Sequence, residues 1–113
     1  MNKIVETICE AWRTKSPELL YEILADDFRW YDSPFEKVVT GKERLVERWN
    51  QDITAQENVQ VSSDIISEDS ERIVAHWRAE FDRNGAHEVL DGVFVIKKRD
   101  SKLTEFRMWW VSQ

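Results

Sequence analysis

The longest apolar run of the chain lies within HEVLDGVFVIKK, residues 87–98, and a carboxylate, Asp91, stands near its centre among apolar residues. Because side chains alternate along a strand, Val89, Val93 and Val95 share the side of Asp91. An unpaired carboxylate among such residues is unfavourable, so its presence needs a reason. We predict a long bent strand whose inner face lines a pocket, with Asp91 reaching into it.

A hairpin turn at Asp91-Gly92 is the alternative, because an Asp-Gly pair between apolar runs also fits that role. Asn84-Gly85 is the stronger hairpin signal, and turns at both places leave a strand of only about five residues between them. In the strand interpretation, Gly92 permits a bulge or a bend.

Three further segments alternate between apolar and polar residues and predict strands that pair with this run. They span residues 58–67, 72–82 and 103–111, and turn signals separate them. The second is the clearest, since Trp77 and Phe81 share one face while charged residues occupy the other. Together the four segments predict an antiparallel meander.

The first half of the chain predicts helices and short strands instead. Residues 3–13 have an amphipathic helical period, Ser16-Pro17 starts a second helix that stops near residues 25–26, and residues 42–50 form a third. Residues 28–32 alternate as a short strand, with Trp30 and Asp32 on one face. Helices followed by an antiparallel sheet predict an α+β fold.

Composition limits the class of protein. The 113 residues suit a single domain, 1–113, and the net charge of −6 without a basic run argues against nucleic acid as a partner. No stretch approaches ~18 consecutive apolar residues, so we expect no membrane span. A lone cysteine, Cys9, and no export signal predict a cytoplasmic location.

The central run is apolar on both faces, which bears on assembly. Only one face can cover the helices, so the other face is left bare unless a partner covers it. With Trp109 of the last strand added to this bare surface, we predict a homodimer through the outer sheet face.

The order of elements resembles the nuclear transport factor 2-like superfamily, which includes ketosteroid isomerase and SnoaL-like polyketide cyclases. Four stretches carry the resemblance over almost the whole chain. They are ELLYEILADDFRWYDSP (18–34), the helix from Gly41 to Trp49, RAEFDRNGAHEVLDGVFVI (78–96) and KLTEFRMWW (102–110). The resemblance implies a strongly curved antiparallel sheet wrapped around about three N-terminal helices, a cystatin-like cone.

The resemblance also implies positions for functional groups. Asp32 stands where ketosteroid isomerase has its proton-shuttling Asp, and Asp91 stands where it has a protonated Asp that donates to the oxyanion. Ile8 occupies the position of its main phenol donor, and Trp49 that of a supporting Tyr. The two carboxylates match and the two phenols do not, which argues against steroid isomerisation.

We therefore name Asp32 and Asp91 as candidate catalytic residues. For Asp32 the alternative is an Asx-turn before Pro34, and for Asp91 a structural bond to a buried indole N–H. The candidate ligand-binding residues lie on predicted inner faces: Trp12, Trp30, Trp49, Trp77, Val93, Phe106, Met108 and Trp110. The two histidines lack a ligand spacing, and no nucleotide fingerprint is present, so we predict no metal and no cofactor.

Three functions remain compatible with the sequence. The first is an enzyme that performs acid–base chemistry of the isomerase, cyclase or dehydratase type on a small apolar or aromatic molecule. The second is a non-catalytic protein that holds such a ligand in the same pocket. The third is an interaction module that works through its outer sheet face.

Overall fold

A computed structural model describes residues 2–113 and shows three helices and five strands. Among the helices in this range, none is long and apolar enough to cross a membrane. In chain order the elements are α1 (Lys3–Arg13), a 3₁₀ helix (Pro17–Glu22), β1 (Leu24–Tyr31), α2 (Lys42–Ile53), β2 (Glu57–Glu68), β3 (Arg72–Arg83), β4 (Ala86–Arg99) and β5 (Lys102–Ser112).

The five strands form one open sheet in the order β1-β5-β4-β3-β2. Strands β2 to β5 are the predicted antiparallel meander, and the α+β class is confirmed. The sheet is mixed rather than wholly antiparallel, because β1 runs parallel to β5 with Trp30 opposite Phe106. The long segment between β1 and β5, which contains α2 and the strands β2 to β4, allows the parallel pairing.

The hairpin between β3 and β4 has the two-residue loop that the sequence predicts. Asn84 and Gly85 both have positive φ, 52° and 80°, as a type I′ turn requires. The loop fixes the register of the two strands without a slip, from Arg83 opposite Ala86 to Arg72 opposite Lys97. The pairing with β3 therefore determines which face of the sheet each β4 side chain lies on.

Helices α1 and α2 each bury one face against the sheet. Asn2 caps α1, since its side-chain oxygen accepts from the Val5 N–H at 3.1 Å, and Ile8 of α1 is fully buried. Helix α2 buries Leu45, Trp49 and Ile53, and it ends three residues later than the sequence predicts. These two helices form the layer that faces the concave side of the sheet.

The predicted second helix is much shorter than expected. It is a single 3₁₀ segment, and β1 already begins at Leu24. Leu20 and Ile23 are buried three residues apart, the spacing that a 3₁₀ turn places on one side. Leu24 then pairs with Leu103, so strand pairing replaces the last helical turn.

Six aromatic rings in the core form a closed cycle of contacts, which we call the aromatic cycle. Neighbouring ring centroids are 3.8 to 6.3 Å apart. Its members in order are Trp12, Trp49, Trp30, Phe106, Phe94 and Trp77, which contacts Trp12 again. One ring comes from each of α1, α2, β1, β5, β4 and β3, so the cycle ties both layers together.

Gly92 marks a close approach between β4 and β5. A Cβ placed on Gly92 would lie 1.9 Å from the carbonyl oxygen of Trp109 in β5. The backbone of β5 therefore occupies the space that any other residue would need for its side chain. The register stays continuous there, so Gly92 permits a bend and not a bulge.

Candidate functional site

A cavity of about 410 Å³ opens between α1, α2 and the concave side of the sheet. This volume is within the usual range for sites that hold small molecules. Aromatic side chains supply much of its wall: Trp12, Trp49, Trp77, Phe81 and Trp110. We call this cavity the tryptophan pocket.

Asp32 lines the tryptophan pocket and is the carboxylate most deeply placed in it, with 8% of the residue exposed. The Trp30 indole N–H donates to its Oδ1 at 2.7 Å, whereas its Oδ2 is buried and has no hydrogen-bond partner. Burial raises the pKa of Asp32 to about 6, and the bond from Trp30 opposes that rise. A carboxyl with this pKa exchanges protons readily near neutral pH.

The position of Asp32 follows from the local sequence. Phe28 and Trp30 are buried and alternate with exposed residues along β1, and Asp32 continues the same face one residue past the strand. Asp32 does not close the turn that follows, because Ser33 does so by accepting from the Phe35 N–H at 3.3 Å. The alternative of an Asx-turn is therefore not what the structure shows.

The rim of the pocket carries further charged residues that are not among the site residues predicted from the sequence. Glu36 and Asp52 both pair with the Arg48 guanidinium, Asp52 at 3.6 Å. On the opposite rim, Arg83 forms a two-bonded pair with Glu88, and both bonds are 2.7 Å. Among residues 2–113, no arginine or lysine lies within ion-pair distance of Asp32.

A signal for part of this rim was present in the sequence. The apolar stripe of α2, Leu45 and Trp49, extends at helical spacing to residues 52, 53 and 56. Following the helix through Ile53 places Asp52 beside Trp49 and brings Gln56 to the same side. The structure bears this out for Gln56, whose Oε1 accepts from the Trp12 indole N–H at 2.8 Å.

Trp77 differs from the other indoles of the pocket. It is fully buried on β3, and its Nε1–H has no hydrogen-bond partner. Within residues 2–113, the Trp77 Nε1 and the Asp32 Oδ2 are the two buried side-chain polar atoms without a partner. Both residues line the tryptophan pocket. Buried polar groups are normally satisfied, so each of these two atoms needs an explanation.

The expectation that Asp91 reaches into the pocket is wrong. Asp91 lies within β4, which excludes the alternative turn, but its side chain is on the outer face and is 42% exposed. Its Oδ1 contacts the His76 Nε2 at 2.8 Å, and Arg78 lies 3.8 Å away. His76 also contacts Asp64 at 2.8 Å, so Asp91 belongs to a charged cluster that spans three strands.

The reason lies in the register of the hairpin. Trp77 of β3 faces the pocket and is paired with Gly92, while Arg78 on the outer face is paired with Asp91. Because β4 is apolar on both faces, its own sequence does not reveal which face points inward. The inward face of β4 can be found from two other features, the two-residue loop at 84–85 and the clear alternation of β3.

Some of the predicted ligand-binding residues line the pocket and others do not. Those that line the pocket are Trp12, Trp49, Trp77, Met108 and Trp110. Val93 is on the outer face opposite Trp109, because it shares the parity of Asp91. Trp30 and Phe106 do not line the pocket either. Their rings stack on each other with centroids 3.8 Å apart, and both residues are buried in the core.

Both histidines lie on the outer face beside carboxylates. Hydrogen bonds to Asp64 and then to Asp91 raise the pKa of His76, and a bond to Asp82 does the same for His87. Among the described residues, no three His, Cys, Asp or Glu side chains are arranged to hold a metal ion. Cys9 is buried, and burial raises the pKa of its thiol.

The chain is similar in structure to several proteins of low sequence identity. A protein of ketosteroid isomerase-like fold from Catenulispora acidiphila, in complex with trimethylamine, has a TM-score of 0.83 and 17% identity, over 95% of this chain and 84% of that one. An NTF2-like protein from Anabaena variabilis has a TM-score of 0.81 and 20% identity, over 96% and 84%. A putative SnoaL-like polyketide cyclase from Jannaschia has a TM-score of 0.76 and 14% identity, over 94% and 83%.

Sequence comparison is more specific about the family. No curated protein matches the chain by sequence. The SnoaL-like domain family matches it over residues 5–106, which include most of α1, all of α2 and β1 to β4, and the first part of β5. The cone fold inferred from the order of elements is thereby confirmed, and this chain belongs to the SnoaL-like domain family.

Proposed function

We propose that this protein binds a small, largely apolar molecule in the tryptophan pocket and exchanges a proton with it through Asp32. The reaction would be of the isomerase, cyclase or dehydratase type and would need no cofactor. The observation that carries the proposal is the state of Asp32: it is 8% exposed, it has one oxygen without a partner, and its pKa is about 6. Such a carboxyl is suited to take up and return a proton at neutral pH.

Asp32 carries the chemistry alone in this proposal. Asp91 is on the opposite side of the sheet, and the carboxylates of the rim are paired with arginines. A single carboxylate that removes a proton at one atom and returns it at another is sufficient for an isomerisation. Trp30 acts as a positioning residue, since its N–H holds Oδ1 and leaves Oδ2 for exchange.

Two of the similar structures support a small-molecule site. One is named as a putative SnoaL-like polyketide cyclase, and another contains trimethylamine. The wall of the pocket supports an apolar ligand body, because tryptophan and methionine side chains offer a large contact area.

The test is a thermal-shift screen of neutral hydroxylated aromatics and terpenoids, followed by product analysis of the ligands that bind. Ligands of the folded state raise the melting temperature, and we expect wild-type protein to convert at least one of them. Asp32→Asn should reduce that rate by roughly 100-fold or more. Asp26→Asn makes the same chemical change at a fully exposed carboxylate, so it should leave the rate unchanged. A rate unaffected by Asp32→Asn would refute the assignment.

Non-catalytic ligand binding is the second candidate, and one observation favours it. Ile8 is fully buried at the position that the resemblance assigns to the main oxyanion donor, so that donor is absent. In this case wild-type protein would bind ligands from the screen and release them unchanged.

We also propose that two copies associate through the outer face of β4 and β5. Val111 is 71% exposed and Trp109 is 40% exposed there, and Val89, Val93 and Val95 continue the apolar surface along β4. Light scattering at micromolar concentration should give twice the monomer mass, and Val111→Asp should give the monomer. A monomeric wild type would refute the dimer. The cytoplasmic location stays a prediction.

A further inference from the structure

We propose that the ligand of the tryptophan pocket is a small amine cation that also bears a hydroxyl or carbonyl oxygen. The inference rests on the proposed function only in taking this pocket as a ligand site, and it does not depend on the reaction. It names the ligand by three complementary features of the wall, which are an excess of carboxylates, inclined aromatic rings and an indole N–H without a partner.

The charges of the pocket do not balance without a ligand. Four carboxylates line it, Asp32, Glu36, Asp52 and Glu88. Two guanidiniums compensate them: Arg48 serves Glu36 and Asp52 together, and Arg83 serves Glu88. With Asp32 ionised, four negative charges face two positive ones, and Asp32 is the carboxylate that has no cationic partner. A monocation reduces this excess inside a partly desolvated site, where charge pairing is strongest.

Asp32 is more than a member of an acidic cluster. It is more than nine-tenths buried, and its Oδ2 has no donor in the part of the chain that the structure describes. An ionised carboxylate in such a place needs a charge partner or a proton. A protonated secondary or tertiary amine supplies both a positive charge and an N–H group.

The aromatic wall is suited to the alkyl groups of such a cation. Trp12 stands at 67° to Trp49 and at 54° to Trp77, with centroids 6.3 and 5.2 Å apart. These three indoles therefore form a corner rather than a flat stack, and Trp110 adds a fourth indole at the mouth, where it is 45% exposed. Several indoles around one space are a favourable surface for methylated ammonium groups.

The Trp77 N–H is the reason for proposing an oxygen atom on the ligand. It is a donor, so an amine cation cannot satisfy it, and no protein acceptor does. A hydroxyl or carbonyl oxygen on the ligand would accept this bond and so remove the cost of a buried donor without a partner. The Trp12 N–H needs no acceptor on the ligand, because it already donates a hydrogen bond to Gln56.

The test uses a pair of compounds of equal shape that differ in charge. They are 2-(dimethylamino)-1-phenylethanol and its carbon isostere 3-methyl-1-phenylbutan-1-ol, titrated into wild-type protein at pH 7.5 by calorimetry. We expect the amine to bind roughly tenfold more tightly or better, because it adds the charge and the cation–π contacts. Equal affinity, or tighter binding of the alcohol, would overturn the inference and leave the proposed pocket intact. Binding of neither compound would also overturn the inference, whereas the proposed function would still be decided by its own neutral screen.

Variants separate the contributions of charge and ring. In Asp32→Asn the preference for the amine should fall about tenfold while the affinity for the alcohol is retained. Asp26→Asn, at an exposed carboxylate, should keep the preference. Trp110→Leu keeps an apolar side chain at a residue that is 45% exposed, so the variant should fold. It should weaken binding of the amine more than binding of the alcohol. A preference that survives Asp32→Asn would overturn Asp32 as the counter-ion.

The pH dependence of amine binding is an independent test of Asp32 as the counter-ion. Only ionised Asp32 attracts the cation, so the affinity for the amine should rise about tenfold from pH 5 to pH 7, given a pKa of about 6. The charged groups that act on Asp32 are Asp52, Glu36 and Arg48. A ligand that merely accepts a bond from the neutral acid would lose affinity over the same range, and that result would overturn the inference.

Discussion

Replacing Asp32 by Asn is expected to remove the proposed chemistry and also the loss of stability that the ionisation of Asp32 causes as the pH rises. Burial holds the pKa of this carboxyl at about 6, against 3.8 in the unfolded chain. The folded protein therefore binds the proton of Asp32 more tightly than the unfolded chain does. Stability from this group is fully present below the unfolded pKa and is lost as the pH rises towards the folded pKa.

The size of the effect follows from those two values. A shift of about 2.2 units corresponds to roughly 3 kcal/mol over the complete pH range. Between pH 4.5 and pH 7.5 the same linkage gives about 2 kcal/mol, because part of the loss has already occurred at pH 4.5. Asparagine does not titrate. The free energy of unfolding of Asp32→Asn, relative to wild type, should therefore rise by about 2 kcal/mol between these two pH values.

Urea unfolding of both proteins at pH 4.5 and 7.5 measures this difference directly. Any constant effect of the amide, such as its extra N–H groups, cancels between the two pH values. Asp26→Asn is the matched control, because that side chain is fully exposed and its cationic contact, Lys42, is as far away as 3.9 Å. A difference near zero between the two pH values, or one of opposite sign, would show that Asp32 does not titrate as a buried acid.

Three other changes test separate parts of the structure. Trp30→Phe removes the donor to Oδ1, so carboxyl NMR titration should place the pKa of Asp32 above about 6, and an unchanged or lower value would contradict the role of Trp30. Gly92→Ala drives a Cβ into the β5 backbone and should destabilise the fold by about 3 kcal/mol or more in urea. A loss below about 1 kcal/mol would mean that the close approach is absent. Asp91→Asn should lower the pKa of His76 in ring NMR spectra and leave ligand affinity unchanged, whereas weaker binding would return Asp91 to the site.

The elements with strong local signals could be predicted from the sequence. The Asn84-Gly85 turn, the alternation of β3 and the amphipathic period of α1 each depend on neighbouring residues, and the structure contains all three. The parallel pairing of β1 with β5 could not be predicted in the same way. It joins Trp30 to Phe106 across most of the chain, and no local pattern encodes such a partner.

The candidate site shows the same limit in its two carboxylates. Asp32 follows Phe28 and Trp30 on one face, so its inward position was readable from three alternating residues. Asp91 lies in a strand whose two faces are equally apolar, and a local reading offers no reason to choose between them. Its face is decided one strand away, where Arg78 is its partner.

The aromatic cycle has a consequence for how assembly of this protein can be observed. Its six rings come from six different elements, and the contact between Trp12 and Trp77 requires α1 to be docked on the sheet. Coupled indole transitions of this kind give a near-ultraviolet circular dichroism signal that a loosely collapsed chain does not produce. The four indoles therefore act as one optical reporter, whose signal appears only when both layers have closed on each other.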